Sequence, residues 1–162
     1  RGAHYVPTDA LLDFLNGTIV ILKEFQAQRN PQVRVIWKTS PPGHPNCWIY
    51  KEPVNNITTM VDLVNDRSLY TFHSAAKGFH WWDFAQQNEK VIDFFAAQSQ
   101  GLQFEIFDGY DLLLGRPDMH RAKVRKRYDC LHHCHPGPHD IFSRLLAHYL
   151  HMTPEQVMAP LS

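Results

Sequence analysis

The chain has 162 residues, and 1–162 reads as one domain with an affordable core, since 44% of it is hydrophobic, including ten Phe, six Tyr and four Trp. Sixteen basic residues balance sixteen acidic ones, so nothing in the charge points to nucleic acid or an acidic membrane surface. No apolar run reaches the roughly 20 residues that span a bilayer, so no transmembrane segment is expected.

The chain opens at Arg1-Gly2-Ala3-His4-Tyr5, without Met or a signal-peptide pattern, which reads as a fragment or a processed chain. Residues 8–29 carry Leu11, Leu12, Leu15, Ile19, Leu22 and Phe25 at helical spacing. Thr8 or Asp9 is expected to cap that helix, and Asn30-Pro31 to stop it. Gln32–Lys38 is β-branched and aromatic and reads as a strand. The Pro and Gly of Thr39–Cys47 demand a loop. Residues 55–66 fit a short helix or a loop, and 67–82 show no clean period. Phe84–Gln98 is a second long helix, with Phe84, Val91, Ile92 and Phe95 on one side. Leu102–Phe107 alternates as a strand does. Asp108–Tyr128 reads as a long polar loop with six basic residues, of the length that is often functional. The last helix spans about Pro138–His151, with Ile141, Phe142, Leu145, Leu146, Tyr149 and Leu150 as its apolar stripe.

Helix, strand, helix, strand, helix points to an α/β domain with a mainly parallel sheet. Sites in such sheets form beyond the carboxyl ends of strands, where the loops 39–47 and 108–137 both begin.

Asp129-x-x-His132 is the sharpest chemical signal. A serine-hydrolase base needs an imidazole held in one tautomer by a carboxylate. Its other nitrogen then removes the proton from a hydroxyl. A tight turn before a helix can supply both groups. Asp-x-x-His alone is common, and its plain reading is a solvated turn. A rival reading is zinc held by Cys130, His132, His133, Cys134, His135 and His139. The usual pairs-of-pairs spacing is absent, however, and adjacent histidines reach one tetrahedral ion poorly, so no metal or cofactor is expected.

The order of strand, polar loop, Asp-x-x-His, Pro-Gly and final helix resembles the C-terminal part of SGNH (GDSL-type) hydrolases. Asp129-Cys130-Leu131-His132-His133-Cys134-His135-Pro136-Gly137-Pro138 is similar to the Asp-Cys-Ser-His-Trp-Cys-Leu-Pro-Gly signature of the PC-esterase group. That group includes trichome-birefringence-like polysaccharide O-acetyltransferases and sialic-acid O-acetyltransferases. Leu131 and His133 depart from the signature, and the Asp and His stay in place. Arg116-Pro117-Asp118-Met119-His120 looks like the family's Arg-Lys-Asp-x-His segment, a second Asp-x-His cluster and a decoy for the first. Gly2 falls in a stretch like the family's second block, which implies an oxyanion-hole amide. His4 stands beside it as a site-lining or structural histidine. Ile36–His44 looks like the third block, with Lys38 in place of Arg, and implies substrate-lining roles for Thr39, Ser40 and His44.

The resemblance implies a three-layer, flavodoxin-like SGNH domain, N-terminally truncated. It implies acyl ester transfer or hydrolysis between an acyl donor and a glycan or other hydroxyl. The family's Gly-Asp-Ser is absent from this sequence, so the nucleophile is expected upstream and the chain alone is expected to be inactive. The competing expectation is a catalytically silent glycan- or partner-binding module of the same fold. Three cysteines and the sequons at Asn16 and Asn56 tilt toward the secretory pathway, Golgi lumen or extracellular. Cys130 or Cys134 is expected to pair with Cys47, and the other with a cysteine outside the chain.

Overall fold

The computed structural model describes residues 6–29, 32–70, 74–98, 101–120 and 129–151. Helix α1 spans Thr8–Gln28. Pro7 stands at its N-cap without a side-chain cap bond, and Thr8 and Asp9 lie within the first turn instead of capping it. Strand β1 is Val35–Lys38, shorter than expected from the sequence. Helices α2 (Ile57–Asn65), α3 (Ser74–Phe79) and α4 (Phe84–Ala97) follow, with short 3-10 turns between them. Strand β2 is Phe104–Phe107. Helix α5 is Gly109–Leu114, and α6 is Pro138–His151.

The two strands pair in parallel, Val35 opposite Phe104 through Lys38 opposite Phe107, so the described residues form a mixed α/β structure. Side chains alternate across the sheet. Val35, Trp37 and Phe104 pack against Leu15 and Ile19 of α1, Val91 and Phe95 of α4, and Leu102. Lys38 and Phe107 meet Phe142 of α6 on the other face. Gln26, buried in α1, clamps the approach to both strands. Its Nε2 donates to the carbonyls of Val33 and Gln103, both at 2.9 Å, and its Oε1 accepts from the Gln103 amide at 3.0 Å. Arg34 then bridges the strands' starts to α6. It forks onto Glu105 with two 2.7 Å bonds and donates to the Tyr149 carbonyl at 3.1 Å.

One expectation fails here. The stretch after Asp108 is not all loop: Asp108 Oδ1 accepts from the amides of Tyr110 (3.0 Å) and Asp111 (3.2 Å), which nucleates α5. Tyr110, Leu113 and Leu114 of that helix are buried. The apolar stripe of α6 is mostly uncovered. Phe142 reaches the sheet and Tyr149 lies under the Arg34 guanidinium, whereas Ile141, Leu145, Leu146 and Leu150 are exposed.

The 39–47 loop is tied down from several sides. Tyr70 hydroxyl shares its proton between the carbonyls of Gly43 (2.7 Å) and Val64 (2.9 Å). Gly43 lies under the Trp81 ring, where a Cβ would come within 2.5 Å of the ring carbons. A Cys47–Cys130 disulfide joins this loop to the turn before α6 across 83 residues, a bond of the kind that persists in oxidising compartments. Among the described residues, no helix is long and apolar enough to cross a membrane.

Candidate active site

The turn from Asp129 to Gly137 is built around one carboxylate. Asp129 Oδ1 accepts from the Leu131 amide (3.2 Å) and the His132 amide (3.0 Å). This local Asx-type bonding folds the chain back so that the His132 ring meets the other oxygen. His132 Nδ1 lies 2.8 Å from Asp129 Oδ2. Partial burial works to raise the Asp129 carboxyl, but the His132 amide and ring and the Leu131 amide outweigh it and hold it below its ordinary value. The His132 side chain is 73% exposed. With Nδ1 engaged by a carboxylate, Nε2 is the nitrogen left for proton transfer to an incoming group.

The backbone of the turn is held from below. The His44 amide donates to the Cys130 carbonyl at 3.0 Å, and the Cys134 amide donates to the Met119 carbonyl at 3.0 Å. The disulfide fixes Cys130. Gly137 is required where the turn enters α6, since a Cβ there would run into the Cys134 carbonyl. Asp140 then caps that entry by accepting from the Gly137 amide at 2.7 Å.

Beneath the turn lies a stack of buried imidazoles. His44 Nε2 is 2.8 Å from the Leu114 carbonyl, and its Nδ1 is 2.6 Å from His120 Nε2. His120 Nδ1 stands 3.2 Å from the His132 carbonyl. The His120 and His133 rings stack at 4.3 Å, and His133 Nε2 is buried with no hydrogen-bond partner. Burial pushes His44 down to about 4, His120 to about 2 and His133 to about 4, so all three are neutral at pH 7. Sequence reasoning missed this stack. Its signal was the density of His after residue 119, but the three rings meet only through the fold.

The other expected site residues scatter. His44 is fully buried in the stack. Thr39 is also buried, and its hydroxyl donates to Asp108 Oδ1 at 2.8 Å while accepting from the Tyr110 amide at 2.9 Å. Ser40 is exposed, and its backbone is paired with the Asn88 amide side chain on α4. The suspected decoy separates into two: Asp118 is forked by Arg116 at 2.9 Å, while His120 turns to His44. Cys134 is a free, exposed thiol, so Cys130 is the partner of Cys47. Gly2, His4 and the basic run Lys123–Arg127 lie outside the described residues.

Zinc is poorly served by these groups. Cys130 is spent in the disulfide. Among the described residues, no three His, Cys, Asp or Glu side chains are grouped so as to hold an ion.

A separate cleft of about 670 Å³ opens beside the carboxyl ends of both strands, where Thr39, Asp108, Asp111, Asp83, Glu89 and Trp82 line it. Burial, then the neighbouring Asp108, raises the Asp111 carboxyl. Neither Asp129 nor His132 lines this cleft. Its acidic wall disfavours developing negative charge. No family model, curated protein or solved structure matches the chain.

Proposed function

We propose that Asp129 and His132 are the acid and base of a Ser-His-Asp triad that transfers or hydrolyses an acyl ester on a glycan hydroxyl. The acyl group is acetyl by resemblance to the PC-esterase group, and the nucleophilic serine lies outside residues 1–162. The observation that carries this reading is the 2.8 Å contact between His132 Nδ1 and an Asp129 carboxylate kept ionised by turn amides. His132 Nε2 takes the serine proton as the hydroxyl attacks the acyl carbonyl, and returns it to the leaving alcohol. It then activates the acceptor sugar or water in the same way. Gly2 supplies an oxyanion-hole amide in this scheme, with His4 and Ser40 toward the substrate side; Thr39 and His44, buried against Asp108 and His120, have no contact with substrate. The parallel sheet between helices is taken as part of a three-layer SGNH-type domain. The disulfide and the two sequons suit the Golgi lumen or the extracellular space.

A second reading is a silent glycan- or partner-binding module of the same fold. Among the described residues no serine hydroxyl is hydrogen-bonded to His132, as both readings require; Ser143, for example, donates to the His139 carbonyl at 2.8 Å. The two readings separate when the chain is produced alone and together with any sequence its open reading frame carries upstream of Arg1, and both forms are assayed on p-nitrophenyl acetate and an acetylated oligosaccharide. The triad requires turnover in the longer form only. Turnover by residues 1–162 alone contradicts the external nucleophile, and inactivity of both forms supports the binding module.

A further inference from the structure

The contacts of His44 and His120 form a line with an acceptor at each end: Leu114 carbonyl, His44, His120, His132 carbonyl. Three contacts need three protons. Two neutral imidazoles bring two, one on each ring. At neutral pH, therefore, one contact holds no proton, and the distances tell which. Two facing lone pairs are tolerated best where the gap is widest. The Leu114 and His44–His120 contacts measure 2.8 and 2.6 Å, and the His120–His132 contact measures 3.2 Å. His44 and His120 then each carry the proton on Nε2, and bare His120 Nδ1 faces the His132 carbonyl.

We propose that His44 and His120 are positioning residues for His132. Proton uptake by the pair places a hydrogen on His120 Nδ1, closes its contact with the His132 carbonyl, and fixes the turn that carries the Asp129–His132 dyad. The added proton makes the pair a single shared imidazolium and satisfies every contact in the line. Burial opposes that charge, so the third proton enters only in acid.

The groups that face the pair are few. Asp118, from the 3-10 turn before His120, favours a proton on His44, but Arg116 forks it at 2.9 Å. His132 and His133, from the turn itself, act on His120. Asp129 and His139, the latter from α6, act on His133, the ring stacked on His120. No carboxylate among the described residues bonds either ring of the pair.

The test uses residues 1–162 as they stand and needs no nucleophile, so it succeeds or fails independently of the acyl-transfer reading. Ring-nitrogen NMR of the histidine-labelled chain reports the tautomers. At pH 7 both His44 and His120 should be protonated on Nε2 and bare on Nδ1. As the pH falls below about 4, where the buried pair first takes up its proton, His120 Nδ1 should gain a hydrogen, and the His132, His133 and Cys134 amide resonances should move in step with that gain. In His120→Asn, a side-chain amide replaces Nδ1–H, so the same amides should sit near their acid positions already at pH 7 and stop titrating with the pair. Three results would each overturn the proposal: a proton on His120 Nδ1 at pH 7, turn amides that ignore its titration, or a native-like His120→Asn that still titrates with the wild-type midpoint. If His120→Asn does not fold, the wild-type tautomers alone decide.

Discussion

Lowering the pH from 7 to 5 removes stability through the buried histidines, and His44 sets the scale. Its ring is fully buried and burial pushes it to about 4, while in the unfolded chain it titrates near the ordinary value of about 6.5. A histidine whose folded value is depressed binds fewer protons folded than unfolded. Its contribution is intact above about 6.5 and is lost as the pH falls toward 4. The gap of about 2.5 units is worth roughly 3 kcal/mol in full, of which about 2 kcal/mol is lost between pH 7 and 5. His120 and His133 shift in the same direction and add to it. Asp129 acts in the same direction, because its folded value is also depressed, but from 3.8, so its contribution is lost only below that and does not enter this window. Urea unfolding followed by tryptophan fluorescence reads the loss. With a slope near 2 kcal/mol/M, the midpoint should fall by about 1 M from pH 7 to pH 5 for His44 alone. His44→Gln, which keeps a nitrogen for the Leu114 carbonyl, should flatten that dependence. A wild-type midpoint unchanged across the window would refute the neutral buried stack.

Breaking the Cys47–Cys130 bond frees an 83-residue separation, and the Cys47→Ser/Cys130→Ser pair should lose about 4 kcal/mol, read as a drop in thermal midpoint. A thiol titration of the native, unreduced chain should find Cys134 reactive and the other two only after reduction. Gly43→Ala should cost about 1–3 kcal/mol by denaturant melt, because its Cβ would press into the Trp81 ring. Asp108→Ala should lose about 1 kcal/mol with the α5 cap, and Thr39 loses its acceptor in the same variant; an unchanged melting curve would count against that tie.

The long helices were legible because their apolar residues recur at helical spacing: α1 and α4 end within a residue of their sequence bounds, and α6 matches throughout. Parallel pairing followed from the helices between the two strands. Helix α5 was hidden, since its six residues are too few for a period and its start depends on one Asp side chain. The α6 stripe illustrates a different limit. Periodicity shows which face could be buried, but the partner surface decides: Phe142 finds the sheet and Tyr149 the Arg34 guanidinium, while Ile141, Leu145, Leu146 and Leu150 stay exposed. At the site, Asp129-x-x-His132 could be read from local sequence because both groups belong to one turn. Which cysteine pairs with Cys47, and the burial of His44 against His120, depend on residues more than 70 positions apart, and no local pattern records such distances.

In the proposed triad, His132, oriented by Asp129, is the base that activates a serine outside this chain. The most direct test of that role is His132→Ala in the longer form that carries the preceding segment, measured as acetyl-ester turnover with the fold checked by circular dichroism. A loss of about 10⁴-fold or more in kcat is expected, with Asp129→Asn close behind. A well-folded His132→Ala protein that keeps most of its turnover would contradict it.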